Sequence, residues 1–399
     1  MRVAVMGGGI QGTCVAMELA SRGVEVDLIE SNQSLMDGAS RHNEGKIHLG
    51  FVYANDSSLR TAELMYRGAR LFAPLMRRWL GTEFDQIPVS TSFEYAVHRD
   101  SLLSGNQLHE TYRRISSMMG EESAGSYFGI EDPGTVIRLG GSDHEYGPPV
   151  DTVLHTREVA VNPGPVADLI TKRVVDNDGI RVLTGATVTA VDPGLRLIHV
   201  STPDGTPGSK GPYDHIVNCA WGGRPAIDAT AGVVLNRTWT FRMKYFLLAT
   251  PRSDQRSLPS TTVVLGGFGD IVDYGDGDFY LSWYPSGRLG WSTDLAPPRW
   301  PTRPDPVEAA EIARKTLENL ESVVPGISEV ITRSPAVVEV RGGVIYSLGN
   351  SDVDDPASEF HRRAEIGLRS LGAYHSIDTG KYTTAPLFAV ETADRVIST

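Results

Sequence analysis

The sequence predicts an α/β chain of two domains, one a nucleotide-binding domain of Rossmann type and one built on an antiparallel or mixed sheet. Three observations predict it. Residues 1–30 read as strand, glycine turn, helix and strand; residues 236–293 carry long alternating aromatic strands; and the last residues return to a glycine turn and a helix.

Residues 2–6 alternate apolar side chains like a short buried strand, and Gly7, Gly9 and Gly12 follow as G-x-G-x-x-G with Ile10 and Gln11 inside it. The first glycine permits the tight turn, the second lets backbone approach a pyrophosphate, and the third packs helix on sheet. Helical spacing continues over 13–22, and the next strand, 24–29, ends on Glu30 beside Ser31. The start of that helix offers N–H groups and a positive dipole end to phosphates, and an acid at 30 suits a free ribose 2′-OH, hence NAD or FAD. A glycine-rich turn of an ordinary α/β protein is the bland alternative. A signal peptide is disfavoured by the glycines, the acidic Glu18 and the missing cleavage pattern.

The 399 residues suffice for two lobes and a sizeable core, and 40% apolar with 22% charged residues is a globular balance. A formal charge of −12 without a long basic block argues against nucleic acid. No apolar run is long enough to span a bilayer. Cys14 and Cys219 have no metal-ligand spacing and read as reduced thiols of a cytoplasmic protein. No metal site is expected.

A segment rich in small residues follows the second strand: Ser40, Arg41, His42, Asn43, Glu44, Gly45, Lys46, Ile47, His48, Leu49, Gly50. It resembles the S-x-x-N-x-G pattern of the FAD-dependent D-amino-acid oxidase and glycine oxidase superfamily, and Ile47-His48-Leu49-Gly50 is similar to the L-2-hydroxyglutarate dehydrogenase branch. The resemblance implies a glutathione-reductase-like FAD domain. It also implies that this segment passes the pyrophosphate toward the flavin ring. The register of His42 does not match covalent attachment, so non-covalent FAD is expected. His48 is either on the flavin face or a packing histidine.

Residues 57–80 have the spacing of a long amphipathic helix broken or kinked at Pro74, 90–98 alternate as a strand, and 101–119 read as a helix. Residues 120–149 read as loop. A helix over 165–176 precedes strands at 181–183 and 187–191, a hairpin at Pro203-Asp204-Gly205, and an apolar strand over 213–219. The resemblance implies that Val188 offers backbone groups to adenine, and that Cys219, Ala220, Trp221 and Gly222 pass close to the cofactor. Strands follow at 236–249, 261–266, 279–284 and 288–293, then a helix over 306–324.

Residues 336–348 read as strand, Gly342-Gly343 turn and strand, and 359–371 as a helix. The final Gly380-Lys381-Tyr382-Thr383-Thr384-Ala385-Pro386 is similar to the family's closing glycine-turn-helix, whose amides face the flavin pyrimidine oxygens. Thr383 or Thr384 is the expected cap. Tyr374 stands where the family has glycine. The nucleotide domain is expected to comprise 1–85, 150–232 and 335–399, and the substrate domain 86–149 and 233–334.

The chain has no Ser-His-Asp order, H-E-x-x-H or Walker loop, so the cofactor carries the reactive group. Arg341 resembles the family's carboxylate-binding arginine, and Arg242 with Tyr245 resembles the F-R-G-x-Y-Y strand of the hydroxyglutarate branch; structural salt bridges are the alternative for both. A hydroxyl substrate also needs a base, for which His48 and His375 are candidates. The expected function is FAD-dependent oxidation of a C–N bond in a small amine or amino acid, with a biosynthetic setting among those allowed. The alternative is a 2-hydroxy-acid dehydrogenase, and a flavin hydroxylase or halogenase is remoter. The partner is a small substrate, and the oligomeric state stays open.

Overall fold

The structure is a computed structural model that describes residues 1–120, 127–139, 145–250, 258–332 and 337–399. The first strand, Arg2–Met6, lies inside a six-stranded sheet. Its order is Gly367–Leu371, Tyr374–Asp378, His215–Asn218, Arg2–Met6, Glu25–Ile29, Ile180–Leu183. The pairs are parallel except at the Gly367–Leu371 edge.

A strand buried on both faces must be apolar on both. Val3 and Val5 pack toward the Ile10–Ser21 and Ala385–Ile397 helices. Ala4 and Met6 point the other way, onto Val191, Ile198 and Val200 of a small antiparallel sheet over Thr187–Asp192, Leu197–Ser201 and Pro207–Lys210.

The second large sheet is nine-stranded and mixed. Its backbone is the pairing of Trp239–Thr250 with Val337–Leu348 over twelve residues, from Trp239 opposite Leu348 to Thr250 opposite Val337. The strand Thr261–Val264 runs parallel to Glu94–His98. Alternation decides what each side chain of the long strand faces. Met243, Tyr245 and Leu247 meet the Pro306–Val323 helix, while Phe246 joins Tyr280 and Tyr95 in the core shared with the first sheet. No helix among the described residues is long and apolar enough to cross a membrane.

The helix Arg60–Leu80 runs unbroken through Pro74. Pro74 is exposed, so the missing amide hydrogen bond falls where water can replace it. Two expected elements are replaced. The Gly342-Gly343 pair makes no turn; one strand passes straight through it. A Cβ on Gly342 would stand 2.4 Å from Met243 Cε and 2.6 Å from Tyr245 Cδ1, so glycine serves close strand packing there. The expected helix over 359–371 is a short 3-10 turn at Glu359–His361 and then the Gly367–Leu371 strand. Gly367, at φ +115°, packs under the Phe388 ring, and antiparallel pairing with Tyr374–Asp378 outweighs the local helical spacing.

The Gly269–Asp273 strand is an addition to the expected set, and a short strand, Ile137–Leu139, lies in the expected loop. Residues 121–126 and 140–144 of that loop, and Ala336, lie outside the described residues. Strands Val150–His155 and Val337–Leu348, counted by sequence with the nucleotide domain, hydrogen-bond into the nine-stranded sheet.

Candidate active site

A cavity of about 800 Å³ is lined by residues from both large sheets. Its wall starts at the first glycine turn. Gly7 has φ +100°, and a Cβ there would lie 2.7 Å from the Cys219 carbonyl oxygen. A Cβ on Gly12 would sit 1.8 Å from Gly7 O, so the helix rests directly on the turn. Gly7, Gly9, Ile10 and Gln11 line the cavity, whereas Gly12 supports the wall from behind. Glu30 and Ser31 also line it. The Glu30 carboxylate accepts from the Gly8 amide at 2.6 Å and from the Asn32 amide at 2.7 Å, which fixes it against the turn.

The small-residue segment crosses next. Ser40 Oγ accepts the Ile10 amide at 2.9 Å, tying the segment to the helix start. Asn43 shapes its own turn, accepting from the Gly45 amide and donating to the Ala39 and Ser40 carbonyls. Ser40, Asn43, Lys46 and His48 line the cavity. Arg41, Gly45 and Ile47 do not. Arg41 pairs with Asp168, Gly45 packs on the Val161 carbonyl, and Ile47 is buried with its carbonyl accepting from Tyr127.

Val188, Cys219, Ala220, Trp221 and Gly222 complete that side. Trp221 donates from Nε1 to the Val344 carbonyl at 2.8 Å, which joins it to the second sheet. At the chain end, Gly380, Lys381 and Tyr382 line the cavity. Thr383 and Thr384 lie behind them. Thr384 occupies the N-cap position before the last helix, but its hydroxyl donates to the Thr379 carbonyl at 2.6 Å and makes no cap. Thr383 Oγ1 accepts the His48 amide at 2.8 Å and donates to the Lys46 carbonyl at 3.2 Å, so the two ends of the wall are stitched together.

His48 is buried. Its Nδ1 lies 3.5 Å from Glu158 Oε1 and its Nε2 lies 3.9 Å from Glu44 Oε1, and neither nitrogen makes a hydrogen bond within the described residues. Burial, helped by the Lys381 ammonium, lowers its pKa, with Glu158 opposing. Glu158 is fully buried and accepts from Tyr95 Oη at 2.5 Å and the Leu49 amide at 2.6 Å. Burial alone would raise its pKa; His48, Lys46 and the Tyr95 hydroxyl hold it below the usual carboxylate range.

Three lysines stand along the same wall. Lys46 is buried, reaches Asp270 at 3.1 Å and lies 4.1 Å from the centre of the Phe93 ring. Lys381 is 3.6 Å from Glu44 and Lys244 is 4.0 Å from Asp270. Burial would raise both carboxylates, and these cations hold both down.

The other expected catalytic residues lie elsewhere. Arg341 pairs with Glu339, and Tyr245 donates from its hydroxyl to the Pro301 carbonyl at 2.7 Å. Arg242 is fully buried one layer behind the cavity, 3.2 Å from Asp352 and stacked between Trp291 and Phe360. Asp352 also accepts from Tyr284 at 2.8 Å, and Tyr284 does line the cavity. His375 faces His215 at 3.0 Å and Ser370 at 2.8 Å inside the first sheet, away from the cavity.

The profile of the family described as "FAD dependent oxidoreductase" (DAO) matches residues 2–395, and the chain belongs to that family. A search of curated proteins finds no match. Among solved structures, glycine oxidase from Geobacillus kaustophilus is similar, with TM-score 0.70 and 14% identity over 100% of this chain and 95% of that one. L-proline dehydrogenase from P. horikoshii gives 0.67 and 14% over 100% and 93%. FAD-bound L-alpha-glycerophosphate oxidase from Mycoplasma pneumoniae gives 0.61 and 14% over 100% and 94%. The protein is thus an enzyme, and FAD is its cofactor.

The residues fit that group. The glycine turn leaves room only for backbone, and Gln11 turns a buried, unpartnered Oε1 at the cavity wall while its Nε2 donates to the Ala385 carbonyl. Sequence reasoning missed Glu158, Lys244, Glu44 and Asp270. Lys244 was two positions from Arg242 on the same strand face, and only depth in the sheet separates them.

Proposed function

We propose that the enzyme oxidises a C–H bond next to a hydroxyl in a small substrate such as a 2-hydroxy acid, with His48 as the base. Bound FAD supplies the two-electron acceptor. The glycine turn with the Ser40 hydroxyl would hold its diphosphate, Glu30 its ribose, and the Gly380–Tyr382 backbone its ring. One observation carries the choice of substrate: a buried imidazole lines the cavity with a fully buried carboxylate behind it. Removing a hydride from a C–OH carbon leaves a proton on oxygen, and a base must take it; a neutral amine needs none. His48 Nε2 takes that proton while Glu158 steadies Nδ1, an arrangement in which the carboxylate favours the protonated ring.

Oxidation of a C–N bond in an amine or amino acid is the second reading. It is supported by the names of the similar structures, glycine oxidase and L-proline dehydrogenase. In either reading the six-stranded sheet forms the nucleotide domain and the nine-stranded sheet the substrate domain, with 1–85, 156–232 and 350–399 in the first. Anaerobic mixing with matched panels of 2-hydroxy acids and amino acids tests the choice. Bleaching of the flavin by hydroxy acids supports it; bleaching by amino acids alone refutes it.

A further inference from the structure

We propose that Lys244 binds the carboxylate of the substrate, an inference that rests on the hydroxy-acid reading and names its anchor. Lys244 and Phe246 both line the cavity from the Trp239–Thr250 strand. Its ammonium lies 5.8 Å from the centre of the Tyr280 ring and 5.9 Å from that of Tyr284, both cavity residues. Among the described residues no group accepts a hydrogen bond from it, and its nearest carboxylate oxygen, on Asp270, is 4.0 Å away.

That oxygen is Oδ2, and the other oxygen of the carboxylate is engaged. Asp270 Oδ1 takes Lys46 at 3.1 Å and the Thr262 hydroxyl at 3.0 Å. Lys381 has its own partner in Glu44. Of the three lysines on this wall, Lys244 stands farthest from a carboxylate oxygen, at 4.0 Å against 3.6 Å for Lys381 and 3.1 Å for Lys46. An ammonium with three N–H donors, half-shielded by two aromatic rings, is a site for one negative charge.

The two arginines expected to do this are committed elsewhere, Arg341 to Glu339 and Arg242 to Asp352. Of the cavity's own arginines, Arg363 donates from Nη1 to the Gly380 carbonyl at 2.9 Å and keeps a buried Nη2 without a partner among the described residues, and Arg299 is exposed. A carboxylate presents the single charge that one ammonium can hold. Lys244 thereby makes the enzyme select acids over neutral alcohols of the same skeleton.

The test is a titration that needs no turnover. Acetate and, separately, inorganic phosphate are titrated into the FAD-loaded protein while the flavin absorbance is followed. The wild type is expected to give a saturable perturbation with acetate, and K244M to raise the apparent Kd about tenfold or more, the loss of one charge-assisted contact. K244R restores most of it. Circular dichroism and FAD content of K244M separate lost binding from lost folding. No perturbation by acetate, an equal Kd in K244M, or a response to phosphate alone overturns the proposal. Because acetate is not oxidised, a failure of hydroxy-acid oxidation would leave this result standing.

Discussion

The His48 imidazole has a carboxylate on each side of its ring, Glu158 at 3.5 Å from Nδ1 and Glu44 at 3.9 Å from Nε2. Glu158 is the more constrained, since its oxygens already accept from Tyr95 and the Leu49 amide. E158Q removes the charge that favours the imidazolium, so the His48 pKa is expected to fall further. The rising limb of the pH profile for flavin reduction then moves to lower pH, and the rate drops roughly 10- to 100-fold as the base weakens. Single-turnover rates from pH 4.5 to 8 check this; an unmoved limb would contradict it.

The glycine turn gives a prediction about cofactor retention. G12V places carbon where a backbone oxygen stands 1.8 Å away, and G7V strains a positive φ against the Cys219 carbonyl. Both are expected to be purified with little FAD and a lowered Tm, checked by absorbance at the flavin band and by thermal melts. A G7V protein with full FAD content would contradict the role given to the turn.

Much of this half of the site was legible in the sequence because backbone demands leave a residue signature. Gly7, Gly9 and Gly12 are required by sterics, and Glu30 by its place at the end of a strand. Residues whose meaning depends on distant packing were not legible. Gly342 looked like a turn because local pattern cannot show Met243 and Tyr245 pressing on it. Glu158 stood between Arg157 and Val159 with nothing local to mark a buried carboxylate. Arg242 and Lys244 share a face, and only the fold shows which one reaches the cavity.

The arginines make a paired prediction. R341A removes a guanidinium that pairs with Glu339 and lines no cavity, so KM and kcat should stay within about twofold of wild type. R242M leaves Asp352 with Arg288, Tyr284 and the Val353 amide and removes a fully buried cation, so a loss of about 3 kcal/mol is expected. Urea denaturation of both variants measures the contrast. An R341A protein with a tenfold higher KM would restore that arginine to the site.

The His215–His375 pair predicts acid sensitivity. Burial and the neighbouring His215 push His375 down to about 4 from a usual value of 6.5. A depressed histidine pKa means that the unfolded chain binds the proton more readily. Stability is therefore full above pH 6.5 and is lost as pH falls toward 4, by up to about 3 kcal/mol. H375Q should flatten this part of the stability curve, measured by urea midpoints between pH 4 and 7; an unchanged slope would contradict it.

On the hydroxy-acid reading, His48 is the group that takes the substrate proton. Anaerobic flavin reduction by the best 2-hydroxy acid, followed across pH in wild type and H48Q, measures it directly. The prediction is a wild-type rate that rises with an apparent pKa below 6.5 and an H48Q rate lower by about 100-fold or more with that limb gone. An H48Q enzyme that reduces its flavin as fast as wild type, with the same pH profile, would contradict it.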